Sequence, residues 1–125
     1  FQNHFLIQYL TGLENVLVGG TQNVPGAERL LDEMKASHVR DKFPYQMSAG
    51  ERQRVAIARS IVHEPDVLFA DEPTASLDRP NAEIVVEHLR RTAERGTLFV
   101  VTHDETILRG ADRVLKMFGG KLAPS

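Results

Sequence analysis

Apolar positions recur with two different periods along this chain, and the change falls near residue 64. Ahead of it, Phe5, Leu6, Ile7, Leu10, Leu13, Val16 and Leu17, with Gly12 among them and Gly19-Gly20 behind, predict a loop feeding a short helix. Thr11 and Glu14 stand at the spacing of a capping box for that helix. After Pro25-Gly26, the residues Ala27, Leu30, Leu31 and Met34 return at helical spacing and predict a second helix reaching about Ser37. Phe43-Pro44 marks a break. From Glu51 to Val62 the chain is rich in helix formers, and Pro65 stops the run.

Behind residue 64 the pattern shortens. Val67 to Ala70 is wholly apolar between Asp66 and Asp71, which predicts a parallel strand buried on both faces. A helix from about Arg79 to Arg95 follows, with Ala82, Val85, Val86 and Leu89 on one face and Gly96 as its C-terminal stop. Leu98 to Val101 predicts a second buried strand, Glu105 to Leu108 a short helix, and Val114 to Phe118 a last strand turning at Gly119-Gly120. Strand, helix, strand, helix, strand implies an α/β parallel sheet with crossovers, whereas the earlier part is mostly helical. The expectation is one domain in two subregions, residues 1–64 and 65–125.

Composition narrows the class without changing this picture. A chain of 125 residues, 42% of them hydrophobic, suits a single packed domain. A formal charge of -2 with interspersed signs offers no basic field to nucleic acid. No apolar run reaches the roughly eighteen residues a membrane helix needs. Zero cysteines exclude disulfides and thiolate metal sites. With no charged-then-apolar leader, the expected location is cytoplasmic.

Candidate chemistry gathers at strand ends and helix starts. In parallel α/β sheets ligands lie beyond the carboxyl ends of the strands, which is where Asp71 and Glu72 fall. Two surface carboxylates at a turn through Pro73 are the plain alternative. His103 closes the second strand and delivers a polar ring to the same edge; the competing readings are a histidine bonded to a nearby carbonyl and a capping box from Thr102 to Glu105. Ser48 and Glu51 make a capping box at the start of the third helix, and that helix tip with Gly50 is also an anion site. Asp78 is placed to cap the helix from Arg79. His4, His38, His63 and His88 lack metal-site spacing and are expected in solvent, as is a face formed by Arg90, Arg91 and Arg95.

Taken in order, Met47-Ser48-Ala49-Gly50-Glu51, Val67-Leu68-Phe69-Ala70-Asp71-Glu72-Pro73, Ser76-Leu77-Asp78 and Val100-Val101-Thr102-His103 resemble the second half of the nucleotide-binding domain of an ATP-binding-cassette (ABC) transporter. The resemblance covers essentially the whole chain and implies an incomplete P-loop NTPase (RecA-like) parallel sheet with a helical signature subdomain. By resemblance, Asp71 is the Walker B aspartate that holds Mg²⁺, and Glu72 is the carboxylate that orients or deprotonates the attacking water. His103 is the switch histidine, Asp78 the D-loop aspartate, and Gln2 the Q-loop glutamine that senses Mg²⁺ and the membrane subunit. Ser48, Ala49, Gly50 and Glu51 stand in the signature Leu-Ser-Gly-Gly-Gln, departing from it at Met47, Ala49 and Glu51. Ala49 matters most, because a position needing positive φ or bare backbone would not accept its methyl.

The resemblance further implies ATP and Mg²⁺ as cofactors, a head-to-tail pairing with a second nucleotide-binding domain, and a membrane permease as partner. Asp71-Glu72-Pro73-Thr74-Ala75-Ser76-Leu77-Asp78 looks most like subunits of the lipoprotein-release or macrolide-export type. No Gly-x-x-x-x-Gly-Lys-Ser/Thr loop occurs in residues 1–125, so the chain is expected to be a C-terminal portion whose Walker A part is absent, inactive alone, with an apolar sheet face uncovered. Two other functions stand beside this one. One is a non-catalytic truncated paralogue or regulatory piece that docks on an intact domain; the other is a soluble ABC ATPase, against which the lack of a heptad run argues.

Overall fold

A computed structural model describes residues 5–18 and 22–124, so Gln2 and His4 lie outside the described residues. Helix α1 (Gly12–Leu17) opens on the expected box, Thr11 Oγ1 accepting from the Glu14 amide while Glu14 accepts from the Thr11 amide. Asn15, fully buried, donates to the carbonyls of Ile7, Leu10 and Thr11 and accepts from the Ile7 amide, which pins the preceding loop to the helix. Helix α2 (Val24–Glu33) begins earlier than the apolar spacing predicts. Asn23 caps it by accepting from the Gly26 amide, and Pro25 fits a first turn whose amides lack helical partners. It also ends earlier, because Lys35 turns to φ 54.

Helix α3 (Ala49–Ile61) and helix α4 (Arg79–Arg95) flank strand β1 (Val67–Asp71) in sequence, and strand β2 (Thr97–Val101) follows α4. Leu6, Val16, Ala27, Leu31, Met34, Val39, Met47, Val55 and Ala58 join Val85 and Leu89 in one core, against which Leu68 and Leu98 also pack. That core runs across residue 64. β1 and β2 pair in parallel from Val67 opposite Thr97 to Asp71 opposite Val101.

The expectation of strands buried on both faces is overturned, and the expectation of an uncovered apolar sheet face is met. Leu68, Ala70, Leu98 and Val100 are half-buried, whereas Phe69 is 75% exposed, Val101 65% and Phe99 54%. Among the described residues this sheet has two strands, so nothing covers its second face, where Phe69 and Phe99 stack with ring centroids 5.0 Å apart. The last predicted strand is likewise reassigned. β3 (Leu115–Phe118) pairs antiparallel with β4 (Lys121–Pro124) as a separate hairpin through Gly119 and Gly120, both at positive φ. β4 went unpredicted because its four residues carry too little pattern.

Gly96 does stop α4, but in extended backbone rather than in the left-handed region. The reason for glycine is space: a Cβ there would lie 2.5 Å from the Asp66 carbonyl oxygen. α5 (Glu105–Leu108) is capped by Asp104, which accepts from the Thr106 amide, so no Thr102 to Glu105 box forms. His88 is buried rather than solvated; its Nε2 lies 3.6 Å from Glu33, beyond hydrogen-bond reach, and burial pushes its pKa down. His63 is exposed as expected, and so are Arg90, Arg91 and Arg95. No described helix is long and apolar enough to cross a membrane.

Candidate functional site

Because Asp71 and Val101 are register partners, β1 and β2 end level, and the residues that follow each strand emerge side by side. The Glu72 amide donates to the Val101 carbonyl at 2.8 Å. Glu72 itself sits at φ 46, a left-handed conformation uncommon for a residue with a Cβ. Its carboxylate meets the next strand's end directly: Oε1 lies 2.7 Å from His103 Nδ1, and Oε2 accepts from Thr102 Oγ1 at 3.3 Å. The His103 side chain is 88% exposed, so this acid and imidazole pair faces solvent. Asp71, one residue back, is exposed at the same strand end.

The two loops leaving the strands are tied together. Thr74 Oγ1 donates to Asp104 Oδ2 at 3.0 Å, and the Asp104 amide donates to Thr102 Oγ1 at 2.9 Å. Hydrogen bonds from the Thr106 hydroxyl and then its amide hold the Asp104 carboxyl below the usual carboxylate range. Asp78 closes the first loop by capping α4, accepting from the Asn81 amide at 3.1 Å and from Asn81 Nδ2 at 2.7 Å.

At the start of α3 the predicted capping box forms. Ser48 Oγ accepts from the Glu51 amide at 3.1 Å, and the Ser48 amide donates to Glu51 Oε1 at 2.9 Å. That backbone bond is the main cause of a lowered Glu51 pKa, with His38 Nε2, 2.6 Å from Glu51 Oε2, adding to it. His38 is therefore exposed as expected, with its ring hydrogen-bonded to Glu51. Ala49 is the first helical residue and is not at positive φ, so its methyl causes no backbone strain. Gly50 meets the 72–78 loop, where a Cβ would stand 3.1 Å from the Ser76 carbonyl oxygen.

The structure thus joins Glu72 to His103, with Asp71 beside them, and sets Gly50 of the helix tip against the loop that ends in Asp78. Residues that the sequence reading passed over hold this together. Buried Gln53 reaches Glu72 and Ser76, and buried Arg54 reaches Asn81, which is bonded to Asp78. For Arg54 the sequence signals burial though not the partners: it lies in the helical row of Ala58 and Ile61, and a polar residue inside an apolar row needs partners.

Solved structures share this arrangement of strands and helices. The ATP-binding cassette MJ0796 in a dimeric post-hydrolysis state bound to ADP and Pi superposes with a TM-score of 0.86 at 31% identity, over 98% of this chain and 58% of that one. The fold is that of an ABC ATPase cassette, a P-loop NTPase. The family model described as ABC transporter matches residues 1–75. Among curated relatives, the lipoprotein-releasing system ATP-binding protein LolD of Treponema denticola is 40% identical over 98% of this chain and 58% of its own length. The putative hemin import ATP-binding protein HrtA of Staphylococcus haemolyticus is 37% identical over 98% of this chain and 59% of its own. This chain belongs to the ABC transporter family of ATP-binding proteins. It spans well under two thirds of those relatives' lengths.

Proposed function

We propose that these residues serve an ATP-binding and ATP-hydrolysing subunit of an ABC transporter, one that powers movement of a substrate through a membrane permease from the cytoplasmic face. The carrying observation is the 2.7 Å approach of His103 to Glu72 at the level ends of two parallel strands. A carboxylate held there by Thr102 and an imidazole open to solvent suit an attacking water and a terminal phosphate. Asp71 would hold the Mg²⁺ that arrives with ATP, joined by Gln2; the donor fits, since magnesium prefers one or two carboxylates together with phosphate oxygens. The ion would supply charge neutralisation on the phosphates.

Ser48, Ala49, Gly50 and Glu51 would face the ATP of a second, head-to-tail domain, with Asp78 at the same interface. The thirteen-residue α3 would turn its N-terminal amides and the positive end of its dipole toward that ATP. Glu51 neutralises part of that field, and its carboxylate is hydrogen-bonded to His38. The dimeric MJ0796 cassette supports such pairing by similarity. In this reading residues 1–64 carry the Q-loop and signature part, and residues 65–125 carry the Walker B, D-loop and switch part.

The test compares two proteins. Residues 1–125 alone, which contain no glycine-rich lysine loop, should turn over Mg·ATP no faster than their Glu72→Gln variant. In a cassette where these residues follow such a loop, Glu72→Gln should lower kcat by about 10²- to 10⁴-fold while ATP still binds. Unchanged kcat in that cassette would remove Glu72 from the chemistry.

A further inference from the structure

Gln53 lies within α3, the helix whose tip carries Ser48 to Glu51, yet its side chain is spent on the loop that carries Glu72. It is 5% exposed, and both ends of its amide are used. Nε2 donates to the Glu72 carbonyl at 3.0 Å, and Oε1 accepts from the Ser76 amide at 3.1 Å. The two bonds span the turn at Pro73 and Thr74, both buried, and one of them fixes the peptide that follows the left-handed Glu72. That conformation needs outside support, which the Val101 carbonyl gives from one side and Gln53 from the other.

The neighbouring positions of α3 grip the same loop elsewhere. Gly50 packs against the Ser76 carbonyl, and Arg54 Nη1 donates to Asn81 Oδ1 at 2.7 Å, while Asn81 donates to Asp78. Arg54 also donates to the Met34 and Lys35 carbonyls, so it fastens the end of α2 to the same assembly. Buried polar groups satisfied on every side fix geometry more firmly than apolar packing of equal volume, because any displacement leaves a donor or acceptor unpaired.

We propose that Gln53 is a positioning residue that ties the Glu72 peptide and the Ser76 amide to the signature helix, so that the seating of that helix bears on the setting of the carboxylate in the same chain. This rests on the proposed roles of Glu72 and of Ser48 to Glu51: the tip serves one nucleotide and the carboxylate another, and Gln53 then makes the setting of each site depend on the other within a single chain.

The test uses the 125-residue chain without nucleotide, so its failure leaves the nucleotide reading standing, and failure of the nucleotide reading leaves this geometry measurable. Gln53→Met keeps length and removes both hydrogen bonds; Gln53→Glu keeps an acceptor for Ser76 and removes the donor to Glu72. In Gln53→Met the Ser76 amide should exchange with solvent about five- to tenfold faster, the loss of one net hydrogen bond. The His103 ring resonances should shift, while the amides of Val16 and Val55 keep their protection. Gln53→Glu should retain Ser76 protection and still shift His103. If Gln53→Met leaves Ser76 and His103 unchanged, Gln53 is only core filler and the proposal falls. It falls equally if Gln53→Glu exposes Ser76 as fully as Gln53→Met, since packing rather than the acceptor would then be at work. Should Gln53→Met lose the Val16 protection, the Gln53→Glu outcome decides alone, with an unmoved His103 overturning the proposal.

Discussion

The helical core and the sheet of this chain treat similar side chains in opposite ways. Val16, Ala27, Met34, Val39, Val55 and Val85 are at 0% exposure, and Leu31 is at 1%. Phe69 and Phe99, larger and more apolar than most of these, show 75% and 54% of their surface. The contrast separates two meanings of an apolar run. In α2 and α3 the helical period selects a face and the neighbouring helices supply its cover. In β1 and β2 the run specifies two apolar faces, and only the one bearing Leu68 and Leu98 finds the core.

That contrast can be broken by substitution. Leu31→Ala should cost about 2 to 5 kcal/mol, since a fully buried leucine leaves a cavity among helices that cannot close. Urea denaturation followed by circular dichroism measures it. Ser48→Ala, which removes the cap of α3, should cost about 1 kcal/mol in the same assay.

His88 gives the contrast a pH dependence. It is buried on α4 against α2, and desolvation lowers its pKa although Glu33 and Glu87 pull upward; Arg91 adds to the lowering. In the unfolded chain the ring takes up a proton near its ordinary value of about 6.5, whereas the folded chain resists until lower pH. Stability contributed by keeping the ring neutral is therefore present above about pH 6.5 and lost as pH falls below it. The denaturation midpoint should drop between pH 7 and 5.5, and the drop should shrink in His88→Gln. A midpoint that falls equally in both proteins would assign the effect to other groups.

The smallest effect belongs to the sheet. Phe69→Ser should change stability by no more than about 0.5 kcal/mol, because little of that ring leaves water on folding. It should nonetheless lower the apparent mass in light scattering, since the exposed Phe69, Phe99 and Val101 face favours self-association. A cost approaching that of Leu31→Ala would erase the distinction between the two regions.

Legibility in the sequence follows the range of the forces involved. Caps at Thr11, Ser48 and Asp78 depend on three or four residues and were readable; α4 and α5 were bounded as expected because proline, glycine and apolar spacing agree. The meeting of Glu72 with His103, thirty-one residues apart, was inferable only by placing both at ends of parallel strands. The local pattern of β1 and β2 predicts burial on both faces, whereas the uncovered face follows only from the expectation that strands of the sheet are missing, because strand burial depends on what else joins the sheet. The hydrogen bonds of Gln53 and Arg54 were missed because their partners are mostly backbone atoms nineteen and twenty residues away, which no local pattern reports. His88 was misplaced for a related reason, since helix packing buried a residue whose type alone suggests solvent.

In the proposed site Asp71, Glu72 and His103 surround the metal-bearing phosphates of one nucleotide. Mn²⁺·ATP added to a cassette in which these residues follow a phosphate loop tests this arrangement through paramagnetic broadening. Amide signals of Asp71, Glu72 and His103 should disappear first, while those of Phe118 and Lys121 in the separate hairpin should remain sharp. Sharp signals at Asp71 and Glu72 with nucleotide bound would contradict it.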